Sequence, residues 1–357
     1  MNFKDLPLPP FPTGATLCSG IGAPEAACPD IDWRFASEIE GFPREVLKAR
    51  FGYAEPADHN QGDPLLWGDM SEITAETWTG NGLPLPDILV AGTPCQAFSL
   101  VGARKGLDDP RGNLTLKFVL ICHAIQDAKH DGRLAAVWEN VPGVLTDKTN
   151  AFGALLSGVV GGDDPFPAPD DAGWPRAGLV AGPRGRAAWR VLDAQYFGVA
   201  QRRERVFLVA SLGDGPDPAS ILFERQGLHG NPAPRRDAGK ADRGASARGA
   251  GNRRGRIEAN SGDISFCLAS NMLGSGDYEG ETLIVEGLAV RRLTPHECHR
   301  LQGFADDHCA IERRGKPAAD GPQYKALGNS MAVPVMRWIL RRLLGLPVEL
   351  RPHTERD

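Results

Sequence analysis

The sequence predicts an open α/β fold whose functional residues follow the carboxyl ends of its strands. Three observations support this prediction. The apolar runs LPDILVA (85–91) and LAAVW (134–138) each stop just before residues that can do chemistry. A strand-like segment, 13–19, passes through a glycine turn into a helix with proline at an early position. The 357 residues are 41% hydrophobic and 24% charged, which suffices for one large domain and a smaller companion.

Composition argues against several classes of protein. No apolar run approaches the length of about 18 residues that spans a bilayer, and the amino terminus lacks the apolar core of a signal peptide. We therefore expect a cytoplasmic protein that does not contact a membrane. Seven cysteines without a CxxC pair argue against a disulfide framework and a zinc ribbon, so no metal is expected.

Charge is distributed unevenly along the chain. The net charge is −5, yet nine Lys or Arg and only two acids fall between residues 225 and 256. A run of this kind is often simply solvated. Because it lies inside the chain between ordered motifs, we interpret it as an inserted recognition region for a polyanion.

The first half of the chain predicts a nucleoside pocket. Gly20 and Gly22 would let the backbone approach a ligand at a helix amino terminus. Glu25 replaces the third glycine of the dinucleotide fingerprint, which argues against NAD. Glu38, at the end of a second strand (33–37), could accept from a ribose diol, and Asp69, after a third strand, from an adenine amino group. The alternatives are a plain strand-to-helix turn and solvated carboxylates.

A thiol and a carboxyl group follow two neighbouring strand ends. Cys95 lies in AGTPCQAFS (91–99), and Glu139 with Asn140 lies in VWENVPGV (137–144). A thiol nucleophile beside an acid that can hold a proton suits attack on an electron-poor heteroaromatic ring. A lone cysteine is more often a small buried hydrophobe.

The segments after Cys95 are predicted in order. Residues 100–114 form a candidate lid, and 114–129 alternate like an amphipathic helix. Residues 161–183 predict a surface excursion with little structure. The basic turn QRRER (201–205) leads into a strand over 206–210, and its arginines offer forked donors to a phosphate or a base carbonyl.

Two helices are predicted near the carboxyl end. Thr294 and Glu297 form a capping box, with Pro295 at the first helical position. The second helix spans about 333–344. Asn329 and Ser330 would cap it, or the helix would return to the first strand and close the nucleoside pocket.

The motifs occur together in one order: LCSGIG, SEIE, GDM, GTPCQAFS, WENV, QRRERVFLVA, RRLTPHECHRLQGF and LGNSM. With them the chain resembles the DNA (cytosine-5) methyltransferase family of bacterial or phage type. The resemblance implies a class I SAM-dependent methyltransferase (Rossmann-like) sheet with helices on both faces, plus a smaller, irregular target-recognition domain. Residues 1–210, completed by 320–357, would form the catalytic and cofactor-binding domain, and 211–319 the target-recognition domain.

The resemblance also implies S-adenosyl-L-methionine as cofactor, double-stranded DNA as partner and action as a monomer in a bacterial or phage-infected cell. Its catalytic residues would be Cys95 as nucleophile, Glu139 as the acid on the cytosine ring, and Arg203 and Arg205 on the flipped base or its phosphate. The cofactor would be bound by Cys18, Gly20, Gly22, Glu38, Ile39, Asp69, Met70, Pro94, Leu114, Asn329 and Ser330. DNA would be bound by Arg253, Arg254 and Arg256.

Two departures from the family pattern affect the cofactor. Family members usually carry an aromatic residue in place of Cys18 and often tryptophan in place of Ile39. We therefore expect weaker stacking on adenine. Methylation of tRNA remains an alternative, since a tRNA-modifying branch shares these motifs. A non-catalytic DNA-binding relative is disfavoured because Cys95 and Glu139 are both present.

Overall fold

The computed structural model describes residues 5–94, 114–223, 268, 283–286, 289–313 and 315–348. An eight-stranded sheet forms the centre of this described chain. Its strands are β1 (Thr13–Leu17), β2 (Asp32–Ser37), β3 (Leu65–Trp67), β4 (Ile88–Ala91), β5 (Leu134–Asn140), β6 (Ala177–Ala181), β7 (Gly185–Asp193) and β8 (Glu204–Leu212). Their order across the sheet is β3-β2-β1-β4-β5-β8-β7-β6.

Strand direction divides the sheet in two. Strands β1 to β5 pair in parallel, whereas β8 runs antiparallel to both β5 and β7, and β6 antiparallel to β7. The chain moves outward from β1 to β3 and then returns to place β4 on the other side of β1. Ligands of open α/β sheets bind at such a reversal, beyond the carboxyl ends of the strands.

Helices cover both faces of the sheet, as the sequence predicted. They are α1 (Ala23–Ala27), α2 (Gly41–Phe51), α3 (Ala75–Thr79), α4 (Leu114–Ala128), α5 (Ala151–Val159), α6 (Pro218–Leu222), α7 (Pro295–Gln302), α8 (Asp320–Asn329) and α9 (Val333–Leu343). Successive strand residues point to opposite faces. Val90 and Val137 accordingly pack in one core with α1 and α9, while Leu89 and Trp138 pack in the other with α4 and α5.

Several predicted elements are confirmed. The amphipathic segment forms α4, and the last predicted helix forms α9. At α7, Thr294 Oγ1 accepts from the Glu297 N–H, while the Glu297 carboxylate accepts from the Thr294 N–H at 2.7 Å. Two short antiparallel strand pairs complete the described chain: β9 (Leu283–Glu286) with β10 (Ala289–Arg292), and β11 (Glu312–Arg313) with β12 (Lys316–Pro317).

Two predictions about local structure were wrong, and a third is not tested by the described residues. The surface excursion over 161–183 contains β6, an edge strand whose residues alternate between exposed and half-buried. Asn329 and Ser330 do not cap α9, because its N-cap is Ala332; they end α8, a helix that the sequence analysis did not predict. The lid candidate at 100–114 lies outside the described residues except for Leu114.

The segment after residue 210 continues the central sheet. Ser211 and Leu212 are the last residues of β8, and α6 follows. Arg342 of α9 donates to the carbonyl oxygens of Ile221 at 2.6 Å and Phe223 at 3.1 Å. The division into domains at residue 211 stays a prediction. Within the described ranges, no helix is long and apolar enough to cross a membrane.

Candidate active site

A pocket of about 720 Å³ opens at the carboxyl ends of β1, β2, β4 and β5. Twelve of the predicted site residues line it: Cys18, Gly20, Glu38, Ile39, Asp69, Met70, Pro94, Leu114, Glu139, Arg203, Arg205 and Asn329. Ser330 lines a neighbouring cavity of about 30 Å³. Gly22 lines neither. Cys95, Arg253, Arg254 and Arg256 lie outside the described residues.

The turn after β1 shapes one wall of the pocket. Gly20 and Gly22 have φ angles of 55° and 78°, in the left-handed region that favours glycine. A Cβ on Gly22 would also lie 2.3 Å from the Phe51 ring. Gly22 therefore shapes the start of α1, a structural role in place of the predicted pocket contact.

Glu38 links the turn to the tip of β2. Its Oε2 accepts from the Gly20 N–H at 2.8 Å, and its Oε1 accepts from the N–H groups of Ile39 at 2.9 Å and Glu40 at 2.8 Å. Burial raises the pKa of this carboxyl, and the backbone donors oppose the shift. A carboxylate has about four acceptor positions. Three are used here, which leaves capacity for one ligand hydroxyl.

A corner lined by sulfur lies beside Glu38. Cys18 Sγ is 3.4 Å from Met70 Sδ. Burial, and then the charges of Glu38 and Asp69, raise the pKa of the Cys18 thiol to about 12, so it stays protonated. Asp69 Oδ1 accepts from the Ser71 N–H at 2.8 Å. Ile39 is 71% exposed at the rim of the pocket, so it shields Cys18 and Met70 little from solvent.

Residues of β5 brace the segment that leads to Cys95. Trp138 Nε1 donates to Thr93 Oγ1 at 2.8 Å, and Asn140 Nδ2 donates to the Thr93 carbonyl at 3.0 Å. The Thr93 hydroxyl also bonds that of Thr115 on α4 at 2.9 Å. Thr93 is buried and Pro94 is exposed at the pocket wall. These bonds fix the chain two residues before the predicted nucleophile.

Glu139 lies deep in the pocket, with a side chain only 12% exposed. Burial raises its pKa, while the charges of Arg205 and Arg203 act in the opposite direction. Arg205 Nε lies 3.1 Å from Glu139 Oε1. A Cβ on Gly92 would lie 3.7 Å from Glu139 Oε2 and 2.7 Å from Met331 Cε, so glycine keeps this part of the pocket open. The carboxyl can thus hold a proton in the pocket.

Arg203 has a different environment from Arg205. It is 3% exposed, and its guanidinium donates to the carbonyl oxygens of Leu268 at 3.3 Å, Gly328 at 3.1 Å and Ser330 at 2.7 Å. The backbone N–H of Arg203 donates to Asp193 Oδ1 at 2.9 Å. These bonds tie the QRRER segment to the end of α8. They favour a positioning role over the predicted contact with a base or phosphate.

The family model for C-5 cytosine-specific DNA methylase matches residues 14–157, 186–232 and 235–345. The chain belongs to this family. The matched residues include every motif on which the resemblance was based, from LCSGIG at the end of β1 to LGNSM at the end of α8.

Relatives of this chain occur in phages and bacteria. The Escherichia phage P1 protein named DNA N-6-adenine-methyltransferase is 35% identical, over 92% of this chain and 60% of its own length. The chain thus spans 60% of that relative. Type II methyltransferase M.NlaX of Neisseria lactamica is 27% identical over 92% of this chain and 94% of its own length.

The fold also matches a solved structure. The crystal structure of S. pombe Dnmt2 methyltransferase aligns with a TM-score of 0.57 and 18% identity, over 94% of this chain and 98% of that one. Likeness at this identity shows the fold alone. It confirms the predicted class I SAM-dependent methyltransferase sheet.

The pocket has a wall that the sequence analysis missed. The first turn of α8 contributes Gly321 and Pro322, and Lys325 follows one turn later. Lys325 Nζ lies 3.1 Å from Glu40 Oε2. Asp320 and Pro322 near the start of a helix were the signal that could have identified α8.

The sequence analysis also missed a contact between His308 and the glycine turn at residues 20–22. His308, in the loop after α7, is 6% exposed, and its Nε2 lies 2.7 Å from the Ile21 carbonyl oxygen. Burial lowers the pKa of His308 to about 4, so the ring is neutral and Nε2–H donates. The ring stacks on Phe304 with centroids 4.4 Å apart. The motif RRLTPHECHRLQGF (291–304) is therefore followed by a residue, His308, that contacts the glycine turn at Ile21.

Glu25 is a buried acid behind the same turn, and it predicts a pH effect on stability. It is 3% exposed, and burial raises the pKa of its carboxyl from 4.5 to about 7. A raised carboxyl pKa stabilises the fold at low pH, and this contribution disappears as pH rises from about 4.5 to about 7. We expect wild type to lose up to about 3 kcal/mol of unfolding free energy relative to Glu25→Gln across this window.

Chemical denaturation of both proteins at pH 4.5, 6 and 7.5 measures this difference. A difference between wild type and Glu25→Gln that stays constant across the three pH values would contradict the prediction.

Proposed function

We propose that the chain is a DNA cytosine-C5 methyltransferase that acts on a flipped cytosine through a covalent bond between Cys95 and C6. One observation carries the proposal: Pro94, the neighbour of Cys95, and the buried carboxyl of Glu139 line the same pocket as the nucleoside-type acceptors Glu38 and Asp69.

The pocket fits S-adenosyl-L-methionine. Its volume lies within the range of about 300–1,000 Å³ that is typical of small-molecule sites. Glu38, with one acceptor position left, would hold a ribose hydroxyl, and Asp69 would face the adenine amino group. Cys18, Met70 and the exposed Ile39 would give the adenine a wall without aromatic rings. When bound, the cofactor supplies an electrophilic methyl group on a sulfonium sulfur.

The chain's own residues prepare the cytosine ring. C5 of cytosine is a poor nucleophile until the Cys95 thiolate adds to C6, which makes C5 an enamine carbon. The protonated Glu139 carboxyl donates a hydrogen bond to N3 of the ring, or shares its proton with N3, and so neutralises the charge that the addition places on the ring. Transfer of the methyl group to C5 leaves S-adenosylhomocysteine. A base then takes the C5 proton, the C5–C6 double bond forms again, and the bond between Cys95 and C6 breaks to regenerate the thiolate.

Access to the ring requires base flipping. A stacked base cannot enter a pocket this deep, and unstacking costs a few kcal/mol. The Arg205 guanidinium, whose Nε lies 3.1 Å from Glu139 Oε1, would contact the flipped base. In this proposal the substrate is double-stranded DNA, and the protein acts as a monomer in the cytoplasm of a bacterial or phage-infected cell.

A second candidate comes from the name of the phage P1 relative, which indicates methylation of adenine N6. The two reactions need different pockets. Adenine N6 is an exocyclic amine that requires no thiol addition to the ring, whereas C5 methylation requires both a thiol and a ring acid. The deep placement of Glu139 favours cytosine.

Nucleoside mass spectrometry separates these candidates. DNA and tRNA are each incubated with the purified protein and S-adenosylmethionine, then digested to nucleosides. We expect 5-methylcytosine in the DNA alone. N6-methyladenine in the DNA, or methylation of tRNA alone, would overturn the proposal. Bisulfite sequencing of DNA from expressing cells then identifies the recognised sequence.

The basic insert, the run of Lys and Arg between residues 225 and 256, predicts that DNA binding depends on salt concentration. Arg253, Arg254 and Arg256 are proposed to contact phosphates, and each phosphate contact contributes about 0.9 to the slope of log K against log salt concentration. Replacing the three with alanine should weaken DNA binding and reduce that slope by about two to three.

Fluorescence anisotropy with a labelled duplex at several salt concentrations measures the slope. Alanine at Lys48, Arg176 and Arg341 removes the same charge from residues that do not line the pocket and that each pair with a carboxylate. An insert variant with the wild-type slope would show that the insert does not contact phosphates.

A further inference from the structure

A chain of hydrogen bonds runs behind the pocket and starts at Glu25 on α1. Glu25 Oε1 accepts from the Thr16 hydroxyl at 2.8 Å and from the Tyr53 hydroxyl at 3.1 Å. Thr16 Oγ1 lies 2.7 Å from Ser19 Oγ. A threonine hydroxyl has one hydrogen. Thr16 donates it to Glu25, so towards Ser19 the Thr16 oxygen can only accept. Ser19 Oγ also lies 3.1 Å from the Ser37 carbonyl oxygen, and its one hydrogen serves one of these two acceptors.

The chain ends at the residues that form the pocket wall. Ser19 Oγ accepts from the Ser37 N–H at 3.1 Å, and the Ser19 N–H donates to the Ser37 carbonyl at 3.0 Å. Ser19 immediately precedes Gly20, and Ser37 immediately precedes Glu38. The bond between the Gly20 N–H and Glu38 thus joins two residues whose neighbours are fixed by this chain.

Glu25 is costly to the fold in its observed position. It is 3% exposed, and its Oε2 has no hydrogen-bond partner among the described residues. A buried polar group without a partner destabilises a protein. Glu25 lines neither the pocket nor the neighbouring cavity, so direct contact with a ligand does not explain it. Local rules of stability are most often broken where function requires it.

We infer that Glu25 is a positioning residue for the cofactor pocket. By accepting hydrogen bonds from Thr16 and Tyr53, it holds the turn at Ser19 and Gly20 against the tip of β2, in the geometry that binds the cofactor. The inference rests on the proposed function, because it assumes that Gly20 and Glu38 bind S-adenosylmethionine.

Three variants test it. Glu25→Leu removes the acceptor at similar size, Tyr53→Phe removes one donor, and Glu25→Gln keeps a carbonyl oxygen for both donors. The readouts are the Kd of S-adenosylhomocysteine by calorimetry, the KM values of S-adenosylmethionine and DNA, and kcat at saturating cofactor.

We expect Glu25→Leu to raise the Kd and the cofactor KM by about tenfold, with kcat and the DNA KM within about twofold of wild type. Tyr53→Phe should raise the Kd by about threefold, and it remains informative if the leucine variant does not fold. Glu25→Gln should restore the Kd to within about twofold of wild type. Ser157→Ala, which removes a buried hydroxyl on α5 away from the pocket, should leave the Kd unchanged.

Wild-type affinity in both Glu25→Leu and Tyr53→Phe would overturn the inference while the proposed function stands. A Glu25→Gln variant as weak as Glu25→Leu would also overturn it, because the hydrogen bonds would not be the cause. Wild type that fails to bind S-adenosylhomocysteine would overturn the proposed function and this inference together.

Discussion

Cys95→Ala is expected to lower methylation of DNA by at least about 10³-fold, because removing the nucleophile of a covalent route removes the route itself. The side chain is not needed to hold the cofactor in this account. The Kd of S-adenosylhomocysteine should therefore stay within about twofold of wild type. Transfer of a tritiated methyl group into duplex DNA measures the loss, and calorimetry measures the Kd.

Cys28→Ala is a matched control for the loss of a thiol. Cys28 is buried at the end of α1, and burial raises the pKa of its thiol to about 11, so it is not a thiolate at neutral pH. It does not line the pocket. The control should keep wild-type turnover. A Cys95→Ala variant with more than a tenth of wild-type activity would exclude the thiol as nucleophile.

Glu139→Gln is expected to lower the single-turnover rate by about 10²-fold to 10⁴-fold, the range for loss of a general acid. Glutamine keeps the shape of the side chain and can donate a hydrogen bond to N3. It cannot hold the carboxyl proton, and it loses the ion pair with Arg205. Cofactor binding should be unchanged, since the interaction that is lost is the one between Glu139 and the cytosine ring.

The pH profile gives the Glu139 prediction a second readout. Burial raises the pKa of this carboxyl, and the reaction uses its protonated form. Wild-type rate should therefore fall as pH rises through that pKa, and the glutamine variant should lack this fall. Glu204→Gln removes an exposed carboxylate that pairs with Arg176, and it should behave as wild type. A Glu139→Gln rate within tenfold of wild type would remove Glu139 from the mechanism.

Much of the candidate pocket could be predicted from local sequence. Glu38, Asp69, Pro94 and Glu139 each follow a short apolar run. Parallel strands end at the same edge of a sheet, so residues that follow them meet there without long-range information. The capping box at Thr294 is likewise local.

Other features depend on contacts between distant residues. β6 has weak strand signals of its own, because an edge strand is only half-buried, and it forms by pairing with β7. Arg203 and Arg205 are two residues apart in one motif, yet only the fold shows that Arg203 binds backbone carbonyls while Arg205 pairs with Glu139. The contact between His308 and Ile21 spans 287 residues, which no periodicity encodes.

Covalent trapping is the most direct measurement of the central claim, that Cys95 adds to C6 of cytosine while Glu139 supports the ring. A duplex with 5-fluorocytosine at the target position is incubated with the protein and S-adenosylmethionine, then resolved under denaturing conditions. Fluorine cannot leave C5 as a proton does, so the bond between Cys95 and C6 should persist. We expect a complex of protein and DNA that survives denaturation and contains Cys95 in its cross-linked peptide. No such complex from active wild-type protein, or an equal yield from Cys95→Ala, would contradict the account.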